Sequence, residues 1–409
     1  MRNANPTRGM LLGGVLLIGL NSVWAQDWPQ WRGPNRDAKA TGFIAPKSWP
    51  KELTQKWKVT VGDGVATPAL VGDQLFVFTR QEKSEVIRCL DAATGKERWL
   101  DKYEAQAVTG PAVGFPGPRS SPTVADGKVV TLGVAGTLSC LDAATGKVLW
   151  RKDDFKGAWP RFFTSCSPIV ADGLCVVQLG GESKGGIVAY DLATGTEKWK
   201  WTGDGTAYAS PSLLTLGGAK AIVAETANKI VALSLADGKL LWQTPFELTK
   251  GGYNAATPIV DGQTIIYTGS GRGTQAVKVE KQGEELAAKE LWSNKEHGVM
   301  YNTPILKNGL VFGISERSNL FCINAQDGKT AWATAIGRAN GYGSVVDVGP
   351  VLLALTPTAE LIVFEATAKE FKQLAKYKVA DSDTHAYPIP AGNRLFVKDR
   401  SSLTLWTVE

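Results

Sequence analysis

His297 and His385 are the only two histidines among 409 residues, and both stand just ahead of a Pro-containing step, Thr303-Pro304 and Tyr387-Pro388. The approaches to sister steps carry Arg119, Trp159, Arg161 and Tyr208. Further along they carry Tyr253-Asn254, Tyr301-Asn302, Tyr342 and Tyr387. A guanidinium grips a carboxylate through a planar fork, a tyrosine offers flat apolar area with a hydrogen-bonding tip, and an imidazole changes charge near pH 6.5. Brought together, these groups suit recognition of an anionic or sugar-like ligand, or of the carboxylate end of a peptide, or of a protein partner. The competing reading is ordinary loop polarity with aromatic rings that seal a channel.

Bond-making chemistry is poorly supplied. Two histidines cannot build a zinc site of several imidazoles, so no metal site is expected, and no Gly-x-Ser-x-Gly elbow or phosphate-binding loop occurs. The run Gly269-Ser270-Gly271-Arg272-Gly273 lies between two strand-like stretches, Thr264 to Tyr267 and Gln275 to Val277, and is expected to be a hairpin turn. Five cysteines are present. Cys89, Cys140 and Cys322 occupy a slot that sister repeats fill with Ala189 and Ala232, which makes them small buried stand-ins. Cys166 and Cys175 flank an Asp172-Gly173 turn whose register sets Val170, not Cys166, opposite Cys175, so a disulfide there would need a shifted register.

What positions these residues is a phrase that repeats: LDAATGKERW ending at Trp99, LDAATGKVLW at Trp150, YDLATGTEKW at Trp199, LSLADGKLLW at Trp242 and INAQDGKTAW at Trp332. The Asp can bond its own backbone two residues on and the Gly supplies a positive φ, so each phrase predicts two strands joined by a tight turn, with the Trp on the second. A Ser-Pro, Thr-Pro or Tyr-Pro step precedes each unit, at Pro68, Pro122, Pro168, Pro211, Pro258, Pro304 and Pro388. From Pro68 to Pro304 these steps lie 43 to 54 residues apart, and repeats of that length with short strands are propeller blades.

Counting sets their number. The seven prolines, with a Pro-less copy near Ser344-Val345, give eight first strands, while Trp99, Trp150, Trp199, Trp242, Trp292, Trp332 and Tyr377 mark only seven outer ones. The stretch Leu53 to Val59 stands before the first blade, and the chain stops just after the third strand of the last, Leu403 to Trp406. The expectation is an all-β, eight-bladed β-propeller of four-stranded blades whose N-terminal strand completes the last blade and removes an open sheet edge. The entrance segments would then converge at one mouth of the central channel, and the long connector from Asp101 to Arg119 could fold over it. Of the tryptophans outside the period, Trp28, Trp31 and Trp159, only Trp159 is expected at that mouth.

The phrase A-x-D-x-x-T-G-x-x-x-W, the eight blades and the shared last blade resemble the pyrroloquinoline-quinone-type (PQQ) propeller repeat family. That family includes quinoprotein alcohol dehydrogenases and the propeller lipoprotein of outer-membrane barrel assembly. The opening Trp28-Pro29-Gln30-Trp31-Arg32-Gly33-Pro34-Asn35 resembles that of many secreted non-enzymatic members. The resemblance implies, for dehydrogenase members, adjacent cysteines against the quinone, calcium held by Glu and Asn, and an Asp base. This chain has no adjacent cysteines and no long inserted lid. The expectation is therefore a non-catalytic binding or assembly scaffold without cofactor; a PQQ-binding redox protein or dehydrogenase-like enzyme is the alternative.

Composition supplies a compartment. Arg2 and Arg8, an apolar run from Met10 to Leu20 and the small-residue site Val23-Trp24-Ala25 form an export signal over residues 1–25, too short to span a bilayer. It holds no cysteine for lipid attachment. An N-terminal arm (26–52) and the propeller (53–409) would follow, monomeric, in the periplasm or outside the cell. The net charge of +6 is too slight, with no basic run, to mark a nucleic-acid binder.

Overall fold

The computed structural model describes Met1, residues 27–249 and residues 252–409; apart from Met1, the stretch expected to be an export signal lies outside the described residues. Among the described residues the chain forms eight four-stranded antiparallel sheets. Seven are built from consecutive strands, spanning residues 69–104, 123–152, 169–201, 212–245, 259–294, 305–335 and 344–378. The eighth joins Ile389–Ala391, Arg394–Lys398 and Ser402–Thr407 to Thr54–Thr60, which pairs antiparallel from Thr54↔Thr407 to Thr60↔Ser402. The expected shared blade is thus present.

The repeated phrase is the third-to-fourth-strand turn, and its chemistry is local. Asp91 Oδ1 accepts from the backbone N–H groups of Ala93 (3.1 Å) and Thr94 (2.9 Å), while Gly95 takes φ 72°. The same arrangement recurs at Asp191 with Thr194 and Gly195. The glycine has a second duty between blades. A Cβ on Gly146 would lie 2.5 Å from the indole of Trp99 in the preceding blade, whose Nε1 donates to Ala143 O at 3.1 Å. Trp150 sits likewise against Gly195 and donates to Leu192 O, and Trp199 against Gly238 and donates to Leu235 O. Each phrase therefore closes its own hairpin and seats its neighbour's tryptophan.

The Ser/Thr-Pro steps form a second inter-blade belt, around the axis. The N–H of Tyr387 donates to Thr67 Oγ1, that of Thr67 to Ser121 Oγ, that of Ser121 to Ser167 Oγ and that of Ser167 to Ser210 Oγ, all at 2.9–3.1 Å. Proline removes the next donor, so each hydroxyl is left free to serve the adjacent blade. All five cysteines are buried and free; Cys89, Cys140 and Cys322 pair across to Trp99, Trp150 and Trp332, and Val170 lies opposite Cys175. Gly269 pairs with Gly273 in a hairpin turn.

The N-terminal arm plugs the channel from the end where the inner strands finish. Trp28 exchanges both backbone bonds with Leu70, Pro29 O accepts from Val124, Ala38 and Ala40 bond Asp347, and Gly42 and Ile44 bond Gly392. Buried between them, Arg32 donates to Pro304 O (2.7 Å), and Arg36 to Pro168 O (2.8 Å) and Ser167 O (3.2 Å). Trp31 Nε1 reaches Thr257 Oγ1 at 3.0 Å. The arm so touches seven of the eight innermost strands or their approaches, and the other end of the channel becomes a blind funnel.

Candidate functional site

The funnel opens where the inner strands begin. It encloses a cavity of about 250 Å³. In blade order from the third to the eighth, one ring arrives from each entrance segment: Phe162, Tyr208, Tyr253, Tyr301, Tyr342 and His385. The rings lean on one another. Phe162 meets Tyr253 edge to face at 5.1 Å, Tyr253 stacks on Tyr301 at 5.7 Å, Tyr301 on Tyr342 at 4.4 Å, and Tyr342 meets His385 at 4.7 Å. The connector between the first two blades completes the wall. Pro111 and Ala112 of its 3-10 turn, Gly110–Ala112, line the cavity with Phe115, which packs edge-on against His385 at 5.1 Å. Trp31 of the arm forms part of the lining from below, supported by Tyr387 edge-on at 4.9 Å.

Arg119 is the only residue with a permanent charge in this lining. Its Nη2 donates to Phe115 O at 2.8 Å, while its buried Nη1 has no partner among the described residues. Burial pushes its pKa down to about 10, opposed by the phenols of Tyr342 and Tyr208. Both ring nitrogens of His385 are buried without a partner, and burial holds its pKa below the ordinary histidine value, opposed by Asp383. The imidazole is therefore neutral at neutral pH. Burial likewise lifts Tyr208 and Tyr301 to about 12 and raises Tyr342, so all three phenols keep their protons.

Six of the twelve sequence-predicted site residues thus line one cavity: Arg119, Tyr208, Tyr253, Tyr301, Tyr342 and His385. The other six are placed elsewhere. Trp159 stacks on Phe163 at 5.1 Å, outside the lining, and Arg161 is exposed with its guanidinium 5.5 Å over the Phe162 ring. Asn254 donates to the carbonyls of Thr226, Ala227 and Phe246, and Asn302 to those of Ile314 and Gly341. His297 stacks flat on Phe321 at 5.0 Å. Tyr387 is buried below Trp31 and donates to Thr303 O. Two corrections follow. Trp159 was expected at the mouth and Trp31 was not; the arm, doubling back through the channel, carries Trp31 there instead. Phe162, next to Arg161, and Phe115 of the connector also belong to the lining, together with the hydroxyls of Ser165, Ser167 and Ser210.

A family model described as "Outer membrane protein assembly factor BamB" matches residues 83–334. The chain belongs to this family. Across almost its whole length it is similar to the BamB of Yersinia pestis, with 23% identity over 418 residues covering 96% of this chain and 98% of that protein. Over a shorter stretch it is similar to a quinohemoprotein alcohol dehydrogenase of Comamonas testosteroni, 31% identical over 161 residues, 37% of this chain and 22% of that one. The crystal structure of BamB from Moraxella catarrhalis shares the fold at TM-score 0.65 and 16% identity, covering 87% of this chain and 97% of that chain. Within the BamB family frame, no helix among the described residues is long and apolar enough to cross a membrane.

Proposed function

We propose that this chain is an exported, non-catalytic propeller that serves as an assembly or binding scaffold in the bacterial envelope, taking a protein partner or small ligand at the funnel. The observation that carries this reading is a blind funnel walled by recognition groups and lacking an acid-base or nucleophile pair. Ser165 Oγ donates to Tyr208 O, and Ser167 and Ser210 accept from backbone N–H groups of the adjacent blade. None is bonded to His385, whose nitrogens are unpartnered, so no hydroxyl is activated. Similarity to BamB along nearly the full chain supports the scaffold role.

A quinone with calcium does not fit these residues. The lining has no Cys, Asp, Glu or Asn, so neither adjacent cysteines nor calcium ligands face the cavity. Among the described residues no group of three or more His, Cys, Asp or Glu is placed to hold a metal ion. The deciding experiment is capture from periplasmic and outer-membrane extracts on immobilised full-length protein, with a Tyr301→Ala, Tyr342→Ala variant as the funnel control. Retention of the same proteins by both would remove the funnel as the docking point. Dye reduction after adding quinone and calcium would overturn the non-catalytic reading.

A further inference from the structure

The funnel is selective in its chemistry, beyond being aromatic. Tyr301 is stacked on both sides, by Tyr253 at 28° and by Tyr342 at 21° between planes. A ring with both faces taken can offer a cavity only its edge, and the edge carries the positive part of the ring quadrupole. The hydroxyls of Tyr253, Tyr301 and Tyr342 have no hydrogen-bond partner among the described residues. A phenol hydroxyl without a partner is free to donate. Around the ring, the aromatic series runs from Phe162 to Phe115, and Arg119 belongs to the blade between those two ends.

No carboxylate or side-chain carboxamide faces the cavity, so its side-chain acceptors are neutral hydroxyls and the His385 imidazole, while its one charged group, Arg119, can only donate. A sugar's hydroxyl hydrogens would meet only neutral acceptors here, and a sugar would leave the buried Arg119 guanidinium without a counter-charge. A dianion such as phosphate would leave one negative charge buried and unpaired against the lone guanidinium, which is costly in an apolar site. A single carboxylate is matched to that guanidinium, since Nη2 is held by Phe115 O and the unpartnered Nη1 remains. The cavity of about 250 Å³ lies below the range of roughly 300–1,000 Å³ typical of drug-sized ligands, which fits a body of one ring.

We propose that the funnel is a receptor for a small organic monocarboxylate with a flat apolar body, its charge held by Arg119 and its body set among Tyr253, Tyr301 and Tyr342. The inference rests on the funnel being a binding site. The acid itself is either a free small molecule or the last residue of a peptide, and both present the same chemistry.

Calorimetric titration of the full-length protein tests it, with benzoate and 3-phenylpropanoate as probes. Benzamide supplies the body without the charge, and acetate the charge without the body. One acid should bind per chain, with benzamide and acetate at least about tenfold weaker, the usual scale for a charge-assisted hydrogen bond. Arg119→Gln should weaken the acids by at least about tenfold and leave benzamide unchanged, whereas Arg161→Gln, outside the lining, should bind as wild type. Gly-Gly-Phe as free acid and as amide separates the sources: a free-acid peptide matching 3-phenylpropanoate identifies a chain end, a weaker one a free acid, and both support the site. Equal binding of acid and amide, or unchanged acid binding by a folded Arg119→Gln protein, overturns it. If that variant fails to fold, the acid-to-amide ratio on wild type decides. Loss of carboxylate selectivity alongside successful partner capture would leave the scaffold reading intact and remove this one.

Discussion

Phe115 and His385 meet edge to face with ring centroids 5.1 Å apart, although one belongs to the connector after the first blade and the other to the entrance of the last. That contact, with Arg400 Nη2 donating to Gly114 O at 3.0 Å, anchors the connector across the funnel. It also buries the imidazole, and burial is what lowers the His385 pKa.

Phe115→Ala should therefore raise the His385 pKa toward its ordinary value of about 6.5 by readmitting water to the ring. An NMR titration of the two imidazoles reads this directly, with His297, stacked on Phe321, as the internal reference that does not move. Movement of both or of neither would show that the connector does not set the environment of His385.

The link between blades makes Gly146→Val a severe change. The new Cβ would fall 2.5 Å from the Trp99 ring at a backbone φ of 74°. Left-handed backbone costs a branched residue about 1–2 kcal/mol and overpacking about 1–3, so a loss of about 2–5 kcal/mol is expected. The control is Gly127→Val, also at positive φ (68°) but with nothing near its Cβ. Chemical denaturation giving equal losses for the two would refute the seat.

Ring closure gives a third outcome. Trp57 of the closing strand sits 3.0 Å from where a Cβ on Gly95 of the first blade would lie, so the shared blade uses the same seat as the others. A chain beginning at Gly62 loses both the plug and this strand and exposes the edge of Ser402–Thr407, and it should aggregate. Size-exclusion chromatography showing a monomer with an unchanged melting temperature would count against closure.

The parts of this architecture legible in the sequence were those written in local chemistry. Asp-x-x-Thr-Gly specifies its own turn, and a Trp at fixed distance reports the strand that follows, so blade number and the shared blade could be counted. The mouth was half legible for a physical reason. Its segments are irregular, and without strand alternation nothing tells Arg161 from Phe162, yet one is exposed and the other faces the cavity. Asn254 and Asn302 looked like ligand contacts because both are polar and near the mouth; their amide N–H groups are taken up by backbone carbonyls. Trp31 was set away from the mouth because no local pattern reports its partner Thr257, 226 residues along the chain.

The cysteines provide a fourth test. Burial raises Cys89 and Cys166 to about 11 and Cys140 and Cys322 to about 12, so these thiols stay protonated and unreactive in the folded protein. Thiol reagents should label the five cysteines only after denaturation. Replacement of Cys89, Cys140 or Cys322 by Ala should cost less than about 1.5 kcal/mol, as for other small volume changes. A disulfide found by mass spectrometry at any of the three would contradict their role as packed stand-ins.

Glu225 supplies a final prediction, and its sign is decisive. The carboxylate ends the strand Ala219–Glu225, fully buried, with both oxygens unpartnered among the described residues. Burial raises its pKa well above the ordinary 4.5, with Arg272 opposing only in part. A carboxyl whose pKa is higher folded than unfolded binds its proton more tightly in the fold. Its contribution is fully present below about pH 4.5 and is lost as pH climbs toward the folded value. Glu225→Gln keeps the shape of the neutral acid and removes that loss. The melting temperature of the variant relative to wild type should therefore rise as pH climbs above about 4.5. A difference that stays flat or falls over this range would mean that Glu225 is ionised in the folded protein and held by a cation, with Arg272 the first group to examine.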